Sequence, residues 1–66
     1  MNSHISDITQ ADPKNFRHLS AREYGILMLR EVDNWTFVKI AEAYNRSPGA
    51  VRITHAKAKR IAIWGK

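Results

Sequence analysis

Cysteine is missing from this chain altogether. Neither a disulfide framework nor a thiolate metal site can therefore hold it together. Its histidines, His4, His18 and His55, show no ligand spacing, so no metal and no cofactor is expected. Long apolar runs are missing too. Nothing approaches the ~20 residues of a membrane span and no signal-peptide apolar segment is present, so the chain reads as a soluble intracellular protein with no membrane partner. Paired carboxylates, a nucleophile–base set and a phosphate-cradling loop are all lacking, which leaves no catalytic residue to name and argues against an enzyme. With 66 residues there is room for one domain and one small core, burying only about 60% of the unfolded surface.

Acidic residues run out part-way. Asp7, Asp12, Glu23, Glu31, Asp33 and Glu42 are followed only by bases: Arg46, Arg52, Lys57, Lys59, Arg60 and Lys66. A solvated helix face usually mixes signs, so a one-signed run within a net charge of +5 points to a polyanionic partner. A membrane surface would need a larger apolar helix face than Val51, Ala58 and Ala62 supply, and those residues are committed to a core.

The stretch Thr36–Arg60 organises the rest. Thr36 is placed to cap a helix in which Phe37, Ile40, Ala41 and Tyr44 recur at helical spacing. The pattern breaks at Asn45-Arg46-Ser47-Pro48, where Ser47 is a good N-cap and Pro48 suits the first helical position. Val51, Thr54, His55, Ala58 and Ala62 then line one face of a second helix, with Arg52, Lys59 and Arg60 on or beside the opposite one. Two helices joined by such a turn, the second basic, form a helix-turn-helix that offers its second helix to the major groove of DNA. Ala41 suits the close approach of the pair, and Ile40 and Val51 are its expected anchors.

Taken in order, residues 1–18 read as a flexible N-terminal arm with a short helix near 13–18, and Ile5 and Ile8 are placed to lie against the domain. Phe16 and Leu19 are expected to dock on the core. Ser20-Ala21-Arg22-Glu23 is a capping box flanked by a Leu19–Tyr24 staple. Gly25, inside the helix that follows, costs roughly 1 kcal/mol against alanine and is tolerable where a neighbouring helix crosses closely. Asn34 suits a left-handed C-terminal position, Trp35 staples to Ile40, and Trp64 closes the bottom of the core or buries itself in a second subunit. The expected fold is all-α: a small three- to four-helix domain with a helix-turn-helix, occupying 19–66, with helices near 20–32, 36–44 and 48–62 and no strand.

From Leu19 to about Ala62 the chain resembles region 4 of sigma-70 factors. The resemblance rests on Leu29-Arg30-Glu31-Val32, on Ile40-Ala41-Glu42-Ala43, on the turn Arg46-Ser47-Pro48-Gly49-Ala50-Val51-Arg52 and on Ala56-Lys57-Ala58. It is similar, less closely, to the LuxR-type helix-turn-helix. The resemblance implies transcription control in a bacterial or phage setting, with Pro48–Ile61 as the recognition helix. It also implies a cytoplasmic, nucleoid-associated location. Only Arg52 matches the family's DNA-facing charges. The family's −10-binding and polymerase-clamp regions have no counterpart here, so the chain is expected to be an excised domain or a stand-alone regulator, as a monomer or homodimer.

Arginine pairs bidentately with guanine and isoleucine packs on a thymine methyl. Arg52 and Ile53 are therefore the expected base contacts, with Gly49 and Ala50 permitting close approach. Arg46, Ser47, Lys57, Lys59 and Arg60 are the candidate phosphate contacts, Ser47 assisted by the free N–H groups of a helix start. His55 lies toward the apolar face and reads as structural. The alternative is a protein-interaction module that docks on RNA polymerase or is captured by an anti-sigma-type partner through Tyr24, Met28, Trp35 and Val38. A basic recognition helix standing clear of the fold favours DNA; a contiguous exposed apolar patch on the first two helices favours a protein.

Overall fold

Each helix begins where a side-chain oxygen stands in for a missing backbone acceptor. The computed structural model describes residues 11–65; Ile5, Ile8 and Lys66 lie outside them. Helix α1 spans Ala21–Glu31. Its capping box is complete: the Glu23 N–H donates to Ser20 Oγ at 3.1 Å and the Ser20 N–H to Glu23 Oε1 at 2.9 Å. Helix α2, Phe37–Tyr44, starts with the Lys39 N–H on Thr36 Oγ1 at 3.1 Å. Helix α3, Pro48–Trp64, starts with the Ala50 N–H on Ser47 Oγ at 3.1 Å, with Pro48 where no N–H is needed. Ahead of them lies a 3-10 helix, Pro13–His18, capped by Asp12. No strand occurs among the described residues. The bounds follow the expected ones closely, except that α3 runs two residues further and stops at Gly65, whose φ of +83° is left-handed. No helix among the described residues is long and apolar enough to cross a membrane.

Helix α3 packs against α1, α2 and the 3-10 helix, and the core has two parts arranged along it. In one, Ile26 of α1 meets Ile40 and Ala41 of α2 and Val51 of α3, with Leu29, Trp35, Phe37 and Tyr44 packed around them. This is the expected anchoring, with Ile40 and Val51 both fully buried. In the other, Leu27 meets Ala58 and Ala62, with Ala11, Phe16, Leu19 and Met28 around them. Here the structure corrects the core-closing reading of Trp64, which is 79% exposed. Phe16 and Leu19 already fill that end of the core. At about 100° per residue, Trp64 falls on the outer side of α3 while Ile61 and Ala62 turn inward.

The last turn of α3 is tied back to the start of the described chain. The Ala62 carbonyl, which a helix end would otherwise leave without a partner, accepts from the Asp12 N–H at 3.0 Å and from Asn15 Nδ2 at 3.0 Å. The 3-10 helix is thus clasped to α3 as well as packed on it.

Gly25 marks a close crossing. A β-carbon at this position would fall on the Tyr44 hydroxyl. Alanine is normally favoured over glycine inside a helix by roughly 1 kcal/mol, and here the collision opposes that gain. Gly25→Ala is expected to destabilise the protein, and to do so less, or to stabilise it, once Tyr44→Phe has removed the hydroxyl. Chemical denaturation of the four-protein cycle measures the coupling, expected at about 1 kcal/mol or more. The same change in both backgrounds would mean that Tyr44 swings aside freely.

Candidate nucleic-acid interface

The turn between α2 and α3 is built by the backbone of Asn45. Its φ of +55° is left-handed, a conformation that asparagine tolerates better than most residues. Its N–H donates to the Glu42 carbonyl and the Arg46 N–H to the Ala41 carbonyl, the paired closure of a Schellman motif. Two residues later Ser47 opens α3. The turn is short, and it leaves Arg46, Ser47, Pro48 and Gly49 exposed at the entry to α3.

Beyond that entry the outer face of α3 carries Gly49, Ile53, Ala56, Arg60 and Trp64, with Arg52 and Lys57 at its margins; all are exposed. Ile53 is 73% exposed, and a β-branched apolar side chain in open water gains nothing from folding. Ala50 sits partly buried at the side of the helix, less open than the other three candidate base contacts. The inner face is filled by Val51, His55, Ala58, Ile61 and Ala62, while Thr54 turns its hydroxyl back to donate to the Ala50 carbonyl at 3.0 Å.

The candidate phosphate contacts are not equivalent. Arg46 and Arg60 are exposed. Lys57 reaches Glu23 Oε2 of α1 at 3.3 Å. The Ser20 backbone N–H, and then Lys57, hold the Glu23 carboxyl below its ordinary value against a partial desolvation. Lys59 is partly buried and has a contact of its own within the fold.

Sequence reasoning missed the group that borders this face. The Glu31 carboxylate, at the end of α1, accepts from His55 Nε2 of α3 at 2.6 Å, and both side chains are nearly buried. The His55 ring meets Phe37 edge-on, with centroids 5.4 Å apart. Phe37 in turn carries two guanidinium groups: Arg30 at 4.5 Å from its centroid and Arg52 at 5.3 Å. Arg30 is fixed by donation from Nη1 to the Trp35 carbonyl at 3.0 Å. Three elements converge here, from positions up to 25 residues apart in number, and helical periodicity carries no signal for that.

Of the candidate protein contacts, Tyr24 and Val38 are exposed, though Tyr24 also meets Phe16 edge-on at 5.6 Å. Met28 and Trp35 are partly buried against the two halves of the core, and Lys39 Nζ covers the Trp35 ring at 4.4 Å. The other exposed apolar residue of this region, Val32, lies about 12 Å along the helix direction from Tyr24.

A family model described as Sigma-70, region 4 matches residues 16–60, more than half of the chain. No curated protein and no solved structure matches it.

Proposed function

We propose, since the chain belongs to the sigma-70 region 4 family, that it binds double-stranded DNA sequence-specifically in the control of transcription, with α3 in the major groove. The family is one of DNA-binding helix-turn-helix domains, which also bind RNA polymerase. The observation that carries the proposal for this chain is the outer face of α3. It combines exposed bases with an exposed isoleucine and has no acidic residue after Glu42.

Helix α3 has 17 residues and so is about 25 Å long, against a major groove about 12 Å wide. Its first half enters the groove, which assigns base contacts to Arg52 and Ile53, with Gly49 and the side of Ala50 passing close to the base edges. Arg46, Ser47 and Arg60 contact phosphates from the two ends of this segment. Lys57 joins them by leaving Glu23, and Lys59 is the weakest candidate because it is partly buried. Selection of bound sequences from random duplex DNA tests the proposal. A preferred site should emerge and bind the chain more tightly than random duplex. Absence of duplex binding even at low salt would move RNA polymerase or an anti-sigma-type partner to first place. The exposure of Tyr24 and Val38 favours that second reading, with Met28 and Trp35 contributing their outer edges.

A further inference from the structure

We propose that Phe37 is a positioning residue for DNA recognition: its ring is a platform that holds the Arg52 guanidinium ready to meet a base. The inference rests on the reading of Arg52 as a base contact and names a residue of α2, outside the recognition helix, on which that contact depends.

The geometry supplies the reason. The Arg52 side chain is exposed and makes no hydrogen bond or ion pair among the described residues; its partner among them is the Phe37 ring at 5.3 Å. A cation over an aromatic face is held by the ring's quadrupole, and that attraction does not depend on an N–H donor finding an acceptor. Pairing with guanine uses the guanidinium's edge, where its N–H donors lie in one plane. The two contacts are therefore compatible, and the side chain need not leave the ring to read a base. A long side chain loses rotamer freedom when it is fixed on a target. Part of that loss is already met when Arg52 rests on Phe37, so less remains to be met on binding.

Phe37 itself is well braced. It is the first residue of α2 behind the Thr36 cap and packs against the Ile26–Ile40–Val51 cluster. His55 meets it edge-on and is held by Glu31. Arg30 also stands over the ring and is anchored to the Trp35 carbonyl.

The test is a cycle between Phe37 and Arg52 in the full chain. The probes are the duplex selected by the unmodified protein and a random-sequence duplex, and the readout is the ratio of the two affinities at fixed salt. Phe37→Leu is expected to lower that ratio roughly two- to five-fold, the range of an exposed cation–π contact. Phe37→Tyr, which keeps the aromatic face, should retain it. In an Arg52→Ala background Phe37→Leu should cause no further loss, whereas a purely structural role would act equally with or without Arg52. Thermal melts accompany each protein, and Phe37→Met replaces Phe37→Leu if the latter is unfolded at the assay temperature. Equal losses in both backgrounds, or none in either, would overturn the proposal while leaving the DNA-binding reading intact. If Arg52→Ala alone leaves the ratio unchanged, the assignment of Arg52 to a base falls, and the platform falls with it.

Discussion

Ile40→Ala is expected to leave much of the chain unfolded at room temperature. Ile40 is fully buried and touches both other members of the helix-turn-helix core, Ala41 aside, through Ile26 of α1 and Val51 of α3. Truncating a buried isoleucine to alanine costs about 2–5 kcal/mol, part from lost transfer energy and part from the cavity left behind. A chain of 66 residues has a total stability of roughly 3–10 kcal/mol, and domains of this size fall toward the lower end. The loss is therefore comparable with the whole. Val51→Ala acts in the same direction, with fewer atoms removed. Arg60→Ala, on the exposed face, should change stability by no more than about 0.5 kcal/mol. Circular dichroism melts of the three variants rank them, and Arg60→Ala as the most destabilised would invalidate the core described above.

The second large effect concerns DNA. Arg52→Ala is expected to weaken binding to the selected duplex by roughly 1–3 kcal/mol and binding to random duplex by much less, because a bidentate pair depends on the base opposite it. Arg60→Ala is expected to weaken both duplexes alike. It should also flatten the dependence of log affinity on log salt by about 0.9, the contribution of one phosphate no longer neutralised. Lys57→Ala belongs with Arg60→Ala in kind but should be smaller, since Lys57 gives up its Glu23 partner on binding. Titrations at several salt concentrations on both duplexes separate these behaviours. Equal losses on the two duplexes for Arg52→Ala would reassign that residue to a phosphate.

Much of the fold is legible in local sequence because the signals that set it are local. Ser20 with Glu23, Thr36, and Ser47 with Pro48 each mark a helix start within four residues, and each cap forms as the chemistry of the side chain requires. Asn34 takes the left-handed conformation expected of it; Asn45 takes it too, although its neighbours in the turn suggest only a break. The outer face of α3 follows from helical period once Val51, Ala58 and Ala62 are known to point inward. What escaped depends on distance in the chain. Glu31 and His55 are 24 residues apart, and nothing near either residue announces the other. The pairing of Lys57 with Glu23 and the stacking of Arg30 and Arg52 on Phe37 are of the same kind. Trp64 is a related case: a large apolar residue at the end of an amphipathic helix reads as core until Phe16 and Leu19 are seen to occupy that space.

The clasp at the Ala62 carbonyl also decides how the domain hangs. Because Asp12 and Asn15 are bonded to the last turn of α3, the first and last described residues lie at the same pole. The Ser47–Pro48 entry, where α3 begins, lies at the other pole, a helix length of about 25 Å away. Ala11 and Gly65 are thus both held on the side remote from the start of α3. Pulling on the described segment from Ala11 and from Gly65 therefore loads one pole of the domain and the two bonds at the Ala62 carbonyl, not the Ser47–Pro48 turn.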